Sequence, residues 1–216
     1  DAHTVEVAGT QYHADKILLA TGSWPTKPEF PGDEYAITSN GIFDLASFPD
    51  RLLVIGGGYI ATEFAGIFNG LGSQVTQLYR GDLFMRGFDG DIRSFAAEEI
   101  RKTGIDLRFN TNIKSLTPIS DGYEATLTDG STLVVDTVLC ATGRHPNIEG
   151  LGLEHTKITF DSRGYVKADA QFQTAEPSIF ALGDMTGGPQ LTPVAIAQAM
   201  AFAHTQFGNE SKAMDY

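Results

Sequence analysis

A glycine-rich turn between an apolar strand and a helix is the feature of this chain best suited to chemistry. The turn is Gly56-Gly57-Gly58, and the apolar run Arg51–Ile55 precedes it. Such a turn places a pyrophosphate on the backbone N–H groups at the start of the following helix. Gly56 permits the tight turn, Gly58 lets the backbone approach the phosphates, and Ala61 allows the helix to pack closely on the strand. The pattern Gly-x-Gly-x-x-Ala therefore predicts a dinucleotide-binding loop.

The end of the next strand indicates which dinucleotide binds. An NAD site usually carries an acidic residue about 20 positions further on, where it grips the ribose 2′-hydroxyl. Tyr79 stands at that point here, and Arg80 and Arg86 follow it. Because guanidinium groups pair with phosphate through charge-assisted hydrogen bonds, we predict NADPH. Two alternatives stay open: the arginines are ordinary solvated residues, or Asp82 contacts a ribose and weakens the basic patch.

Hydrophobic periodicity predicts the elements that position this loop. We expect a buried strand at Arg51–Ile55, a helix over 59–71, a strand over 74–79 and a helix over 91–103. The predicted apolar faces are Ile60, Phe64, Ile67, Phe68 and Leu71 in the first helix, and Ile92, Phe95, Ala96 and Ile100 in the second.

An antiparallel appendage is predicted after the second helix. Strands are expected over 113–119, 123–128 and 132–135, and Asp129-Gly130 is a strong hairpin signal between the last two. The strand over 138–141 then ends in Thr142-Gly143, as the strand over 16–20 ends in Thr21-Gly22. We expect this repetition to reflect two sheets that are built alike.

The last third of the chain carries a second group of candidate residues. Short strands are expected near 158–160 and 165–168, and a buried strand over 178–182 leads to Asp184. An acid at the carboxyl end of a strand suits a sugar or polyol hydroxyl. We expect Thr192 to be the N-cap of the final helix, with Pro193 at its first position. The positive end of this helix would then face a bound group, or, in the alternative, Thr192 has no role beyond ordinary capping.

Composition limits the classes of partner. The chain has 216 residues, 42% of them hydrophobic, and a formal net charge of −12. This charge argues against nucleic acid and anionic membranes as partners. No apolar run reaches about 18 residues and no signal-peptide pattern is present, so we expect a cytoplasmic protein without a membrane partner. The single cysteine, Cys140, excludes an internal disulfide and is expected to be a core thiol. No metal site is predicted.

Several motifs together resemble the glutathione reductases of the flavin disulfide reductase family. They cover essentially the whole chain, at 56–61, 63–66, 79–82, 83–89, 141–144, 183–184 and 191–195. The Arg-Gly-Asp and Arg-Gly-Phe-Asp variants at 80–82 and 86–89 are similar to bacterial and plant glutathione reductases and to trypanothione reductases. The resemblance implies an α/β fold: a Rossmann-like NADPH-binding domain at 23–148, with a parallel sheet, crossover helices and a three-stranded antiparallel meander. Parts of a similar FAD-binding domain would flank it at 1–22 and 149–216.

The resemblance also implies residue roles. Tyr59 would cover the nicotinamide pocket and swing aside on binding, and it is a candidate catalytic residue together with Glu63. Asp184 would contact the ribityl chain, and Thr192 the flavin ring, where the helix dipole would stabilise a reduced flavin. The implied NADPH contacts are Gly56, Gly57, Gly58, Ile60, Ala61, Glu63, Arg80, Arg86, Gly143, Arg144 and Gln190, the last near the nicotinamide end. The implied surroundings of FAD are Thr21, Gly22, Asp184 and Thr192, with Arg144 near both cofactors.

The chain departs from the family pattern in what it lacks. It carries no Cys-x-x-x-x-Cys, no Gly-x-Gly-x-x-Gly of an FAD domain, and neither the carboxyl-terminal dimerisation domain nor its His–Glu base pair. We therefore interpret it as an internal part of a glutathione-disulfide reductase whose parent would be a homodimer. In that parent, hydride would pass from NADPH to FAD, and electrons to a disulfide and then to glutathione disulfide. We expect the chain itself to bind NADPH, to bind FAD weakly or not at all, and to reduce no disulfide.

Three alternatives remain open. The parent is a trypanothione-type disulfide reductase, or a flavoprotein electron-transfer reductase without a redox disulfide. A non-enzymatic nucleotide-binding module is the third alternative, and in that case the motifs at Asp184 and Thr192 would have no purpose.

Overall fold

The chain folds into two compact units. The computed structural model describes residues 1–208 and 210–216. Unit 1 comprises Asp1–Trp24 and Arg144–Tyr216, and unit 2 comprises Pro25–Gly143. The sequence places these limits at 22/23 and 148/149 instead. Residues 144–148 lie in unit 1 because they bond there: Arg144 donates to Ser23, and the backbone N–H of Asn147 donates to Gly22 O at 2.9 Å.

Fourteen strands and three α-helices make up the described residues, together with short 3-10 turns. The strands are β1 (Thr4–Val7), β2 (Thr10–His13), β3 (Ile17–Leu19), β4 (Ser23–Pro25), β5 (Ile37–Thr38), β6 (Arg51–Ile55), β7 (Gln74–Tyr79), β8 (Asp106–Phe109), β9 (Ile113–Ile119), β10 (Gly122–Leu127), β11 (Thr132–Val135), β12 (Thr137–Cys140), β13 (Arg144–Pro146) and β14 (Ile179–Ala181). The helices are α1 (Tyr59–Gly70), α2 (Gly90–Lys102) and α3 (Thr192–Phe207).

A parallel five-stranded sheet forms the centre of unit 2. Its strand order is β5-β12-β6-β7-β8, so β6 lies in the middle with β12 on one side and β7 on the other. Leu53 and Val54 of β6 are fully buried on opposite faces of the sheet. A strand covered on both faces reads as a continuous apolar run, which is why β6 could be predicted from sequence. The predicted α/β class with a parallel sheet is confirmed.

Helix α1 lies within one residue of its predicted limits, but its predicted apolar face is partly wrong. The helix buries Ala61, Ala65 and Phe68, whereas Ile67 is 52% exposed and Leu71 is 67% exposed. Small side chains face the sheet because they allow the helix to approach it closely. The spacing of large apolar residues alone therefore predicted a buried face that is turned around the helix axis from the face that is buried in the structure.

Helix α2 shows the same difference. Only Ala97 is buried, while Ala96 and Ile100 pack against the core from its margin. Ile92 and Phe95, predicted to face the core, are 60% and 65% exposed. The helix begins at Gly90, one residue before the predicted start, because the Asp89 side chain accepts the backbone N–H groups of residues 91 and 92 as an N-cap.

The predicted antiparallel meander is confirmed. Strands β9, β10 and β11 pair in sequence order, and Gly130 closes the β10–β11 hairpin with φ +88°. Leu116 and Leu127 of this meander pack with Leu53 on one face of the five-stranded sheet. The meander therefore covers the face of the sheet opposite α1 and α2.

Unit 1 contains a smaller parallel pairing, between β3 and β14. The strands expected near 158–160 and 165–168 are not formed; a single bridge joins Phe160 to Val166. The Asp161 carboxylate accepts the backbone N–H groups of Arg163 and Tyr165, and the backbone N–H of Asp161 donates to Tyr165 O at 2.8 Å, so side-chain and backbone bonds together close this turn. Among the described residues, no helix has the length and apolar character needed to cross a membrane.

Candidate functional site

The glycine loop, residues 56–58, lies at the carboxyl edge of the five-stranded sheet. It follows β6. The next strand in the sheet, β7, lies on one side of β6, and β12, which comes much later in the chain, lies on the other side. In open α/β sheets, ligands bind at such a switch point, outside the carboxyl ends of the strands. The segment after β12 ends beside the loop, because a Cβ on Gly56 would lie 2.2 Å from the carbonyl oxygen of Ala141.

The three glycines of this loop have different surroundings. Gly56 has φ +147°, and a Cβ there would also lie 3.1 Å from the Cβ of Ala61, which is fully buried. A Cβ on Gly57 would lie 2.3 Å from the ring of Tyr79. Gly58 has φ −90°, and a Cβ there would meet no protein atom within 4 Å. Neither the backbone conformation nor a neighbouring atom requires glycine at position 58, which leaves open space of the kind a bound phosphate occupies.

Every carbonyl oxygen of the glycine loop is held by the protein. Gln77 Nε2 donates to Gly56 O at 3.0 Å, and the backbone N–H of Met85 donates to Gly57 O at 2.6 Å. Thr62 donates to Gly58 O at 3.1 Å through both its backbone N–H and its hydroxyl. No side chain caps the amino end of α1. The positive end of this helix therefore has no side-chain acceptor, as an anion site requires.

Gln77 is a supporting residue that sequence reasoning missed. Its side chain is fully buried, and its Oε1 has no hydrogen-bond partner among the described residues. The signal was present, because Gln77 stands beside the apolar residues Leu78 and Val75 of β7, and a buried glutamine needs a specific partner. That partner is the carbonyl of Gly56.

The arginine loop, residues 80–89, connects β7 to α2 and carries both predicted phosphate-binding residues. Arg80 and Arg86 are exposed, and within residues 1–208 and 210–216 neither donates a hydrogen bond or forms an ion pair with a protein group. The six other arginines of the chain all bond to protein acceptors: Arg51, Arg93, Arg101, Arg108, Arg144 and Arg163. The two residues predicted to bind the 2′-phosphate are therefore the two that the protein leaves unneutralised.

The remaining predicted NADPH residues of unit 2 lie on α1 and after β12. Tyr59 is 38% exposed at the start of α1, Glu63 is exposed one turn later, and Ile60 is half-buried between them. Gly143 has φ +148°, and no atom lies within 4 Å of where its Cβ would be. Asp82, the alternative ribose contact, is exposed in the arginine loop.

A hydrogen-bonded cluster in unit 1 contains the predicted flavin residue Asp184. Ser23 donates from its hydroxyl to Asp184 Oδ2 at 2.7 Å and accepts from Arg144 Nε at 2.6 Å. Arg144 Nε also lies 4.0 Å from Asp184 Oδ2. Ser23 was not identified from the sequence, although it directly follows the Thr21-Gly22 motif. Asp184 lies in a 3-10 turn, Gly183–Thr186, immediately after β14.

The expected repetition between Thr21-Gly22 and Thr142-Gly143 has a structural counterpart. In unit 1, the Thr21 hydroxyl donates to Asn147 O at 2.6 Å. In unit 2, the Thr142 hydroxyl donates to Thr26 O at 2.9 Å, and the backbone N–H of Thr26 donates to Gly143 O at 2.9 Å. Each unit thus uses the same threonine–glycine turn after a parallel strand to hold the segment by which the chain enters that unit.

Two other predicted residues lie near Asp184 in unit 1. Gln190 Nε2 donates to the Tyr165 hydroxyl at 3.2 Å and to Asp184 O at 3.4 Å. The expectation that Thr192 is an N-cap is wrong: Leu191 is the cap, its carbonyl accepts the backbone N–H of Ala195 at 3.0 Å, and Thr192 is the first helical residue. The helix begins one residue earlier than expected because Leu191 supplies the first acceptor.

Cys140 is buried in β12, as predicted. Loss of hydration raises the pKa of its thiol to about 12. A thiol in this state is a poor nucleophile, so Cys140 is a packing residue and not a redox centre.

Comparisons with known proteins agree with this geometry. The family model described as pyridine nucleotide-disulphide oxidoreductase matches residues 1–199. Glutathione reductase of Burkholderia cepacia is 45% identical over 207 residues, which cover 96% of this chain and 46% of that protein. Trypanothione reductase of Leishmania donovani is 41% identical over 230 residues, covering 100% of this chain and 47% of that protein.

A solved structure shows the same fold. The HOCl-induced flavoprotein disulfide reductase RclA of Escherichia coli has a TM-score of 0.90 at 30% identity, covering 98% of this chain and 49% of that one. The chain spans about half the length of the relatives it matches. Glutathione reductases use FAD and NADPH. On the family match over residues 1–199, the chain belongs to the pyridine nucleotide-disulphide oxidoreductase family.

Proposed function

We propose that unit 2 binds NADPH and forms the NADPH-binding part of a glutathione reductase. The observation that carries this proposal is that Arg80 and Arg86, alone among the arginines of the described residues, have no protein partner. They follow a strand that ends in Tyr79, where an NAD site would have a carboxylate. A carboxylate at this position would repel the 2′-phosphate, whereas the guanidinium groups of Arg80 and Arg86 would neutralise its charge.

The glycine loop fits the pyrophosphate of the same cofactor. Its carbonyl oxygens are all occupied by protein donors, and the position beside Gly58 is open. The amino end of α1 would supply backbone donors and the positive end of the helix dipole. Tyr59 and Glu63, on the first turns of α1, would then lie beside the nicotinamide half of the cofactor.

Unit 1 would contribute residues to an FAD site. The Asp184 carboxylate accepts from Ser23, and Arg144 holds that serine from the other side. A carboxylate fixed in this way is oriented to accept a sugar or ribityl hydroxyl. In a complete enzyme, NADPH would supply the hydride and FAD would pass the electrons to a disulfide.

The disulfide substrate is proposed to be glutathione disulfide, with trypanothione as the second candidate. The 45% identity to a glutathione reductase and the 41% identity to a trypanothione reductase support these two. The chain on its own should reduce neither, because its single cysteine is buried and its thiol is protonated. NADPH oxidation by the purified chain in the presence of either disulfide tests this point, and sustained turnover would contradict it.

Calorimetric titration with NADPH and with NADH tests the proposed cofactor. We expect NADPH to bind at least about tenfold more tightly, a difference of about 1.4 kcal/mol. Equal affinities would assign the ribose contact to Asp82 and make the arginines bystanders. Failure to bind either nucleotide would overturn the proposal.

A further inference from the structure

The arginine loop has no regular secondary structure, yet a 2′-phosphate site requires its two arginines to be held in place. Met85, the residue before Arg86, has φ +54°, a conformation that side chains other than glycine rarely adopt. Such a conformation persists only where the surrounding structure determines it. The contacts that hold residues 83–86 should therefore decide where Arg86 points.

Residues 83–86 are held by the glycine loop, by the hydrophobic core and by α2. The backbone N–H of Met85 donates to Gly57 O at 2.6 Å, which joins the arginine loop to the glycine loop. The side chain of Phe84 is fully buried. From α2, Arg93 donates through Nε to Phe84 O at 2.7 Å and through Nη2 to Leu83 O.

Arg93 makes a different use of its charge from Arg80 and Arg86. Its guanidinium binds two consecutive backbone carbonyls with two donors of one planar fork, an arrangement that fixes both position and orientation. Those carbonyls belong to the two residues directly before Met85, whose strained backbone leads into Arg86. Loss of the fork would free the carbonyls and let the Met85 backbone relax.

We infer that Arg93 is a positioning residue that sets the preference for NADPH over NADH by holding the arginine loop in the conformation that presents Arg86. The inference rests on the proposed NADPH site and adds a residue that does not itself contact the nucleotide. Of the eight arginines, two would bind the phosphate and a third, Arg93, would hold the loop that carries them. No part of it depends on the identity of the disulfide substrate.

A matched control lies on the same helix. Arg101 donates through Nε and Nη2 to Leu107 O at 3.3 and 3.0 Å, so it also binds a backbone carbonyl with its guanidinium. Leu107 lies in β8, outside the arginine loop. Arg101 also lies over the ring of Phe109, 4.8 Å from its centroid, and Phe109 contacts Phe84. Arg101→Ala therefore removes the same type of bond and the same charge from α2, and it tests at the same time whether altered packing against Phe84 changes the ratio without loss of a hydrogen bond to residues 83–86.

The test is a double-mutant cycle on the nucleotide preference, measured as the ratio of the dissociation constants for NADH and NADPH. We expect Arg93→Ala to weaken NADPH binding about fivefold, within the range of residues that act without touching a ligand, and to leave NADH binding unchanged. In an Arg86→Ala background, Arg93→Ala should cause no further loss, because the residue it positions is gone. Arg101→Ala should leave the ratio at the wild-type value.

Other outcomes overturn the inference. A ratio unchanged by Arg93→Ala, or the same loss in the Arg86→Ala background, would show that Arg93 does not act through Arg86. If Arg93→Ala does not fold, Arg93→Lys replaces it: the charge remains but the planar pair of donors is lost, so NADPH binding should weaken by a similar factor while NADH binding stays unchanged. Full preference in Arg93→Lys would assign the effect to charge and overturn the positioning role.

The failure of this inference is distinguishable from failure of the proposed function. Wild-type protein with equal affinity for the two nucleotides would overturn both. A wild-type preference that Arg86→Ala removes and Arg93→Ala leaves intact would overturn the positioning role alone.

Discussion

The ring of Tyr79 lies so close to Gly57 that a Cβ on Gly57 would be 2.3 Å from Tyr79 Cδ2. The aromatic ring thus packs on the backbone of the glycine loop at the point where an NAD site has its carboxylate. Tyr79 thereby supports the glycine loop and stands where a carboxylate would repel a 2′-phosphate. Gly57 and Gly58, which are adjacent in sequence, are therefore required for opposite reasons: one by the protein and one by the proposed ligand.

Substitution of these two glycines should separate stability from binding. Gly57→Ala should destabilise the chain by about 1–3 kcal/mol, because the methyl group collides with the Tyr79 ring. Gly58→Ala should leave stability nearly unchanged, since open space surrounds it, and should weaken NADPH and NADH about equally, by about tenfold or more. Denaturant unfolding and calorimetry measure the two effects. Normal nucleotide affinity in folded Gly58→Ala would show that no phosphate lies there.

Removal of the unneutralised arginines should change the nucleotide preference. Arg80→Ala and Arg86→Ala should each weaken NADPH binding by about 10- to 100-fold, the range for a hydrogen bond to a charged group, and leave NADH binding unchanged. Lys114→Ala is the matched control, because Lys114 is an exposed cation of unit 2 on β9. An equal loss in the control would point to general electrostatic attraction instead of a phosphate contact.

The buried thiol predicts a specific dependence of stability on pH. The pKa of Cys140 rises from 9.0 to about 12 because burial disfavours the thiolate. The stabilisation is complete below the pKa of the unfolded chain and is lost as the pH rises, since the unfolded thiol then releases its proton while the folded thiol keeps it. Wild-type stability should therefore fall more steeply than that of Cys140→Ala between about pH 9 and pH 12. Parallel curves would contradict the pKa shift.

The same thiol should be unreactive in the folded chain. A thiol reagent at about pH 8 should label Cys140 only after denaturant is added, because both burial and protonation protect it. Stoichiometric labelling of the native protein would show that β12 opens readily and that the residue is not a core thiol.

The meander is tied to the start of β6 by a charge cluster. Arg51 forms hydrogen-bonded ion pairs with Asp136, before β12, and Asp121, between β9 and β10. The hydrogen bond from Arg51 holds the pKa of Asp136 below its usual value. A carboxylate of this kind stabilises the fold above the pKa of the unfolded chain, and the contribution is lost as the pH falls through the folded pKa.

Asp136→Asn should therefore lower the melting temperature near neutral pH, and this effect should shrink as the pH falls through the lowered pKa of the folded carboxyl, because the wild-type side chain then becomes protonated. Asp106→Asn is the comparison, because Asp106 pairs with Arg108 on the same strand, two residues away, and joins no separate elements. The effect of Asp136→Asn near neutral pH should be the larger of the two. An effect of Asp136→Asn that stays constant as the pH falls would show that the charge of Asp136 is not what stabilises the connection.

The sequence alone determined the features that depend on neighbours along the chain. Glycine spacing, the Asp129-Gly130 hairpin and the apolar run of β6 are local patterns, and backbone sterics and burial act on them over a few residues. For this reason the loop, the meander and the parallel sheet could all be predicted. The arginines after β7 could also be named, because their candidate role depended on the absence of a carboxylate at one position.

Tertiary structure alone decided which groups these elements bring together. The buried residues of α1 and α2 are alanines that pack against the sheet, together with Phe68, and the spacing of large apolar residues does not reveal the alanines. Leu191 and not Thr192 caps α3, and Ser23 links Arg144 to Asp184 across 161 positions of sequence. All eight arginines look alike in the sequence. Only the placement of distant carbonyls and carboxylates decides that six are bonded to protein acceptors while the side chains of Arg80 and Arg86, among the described residues, have no protein partner.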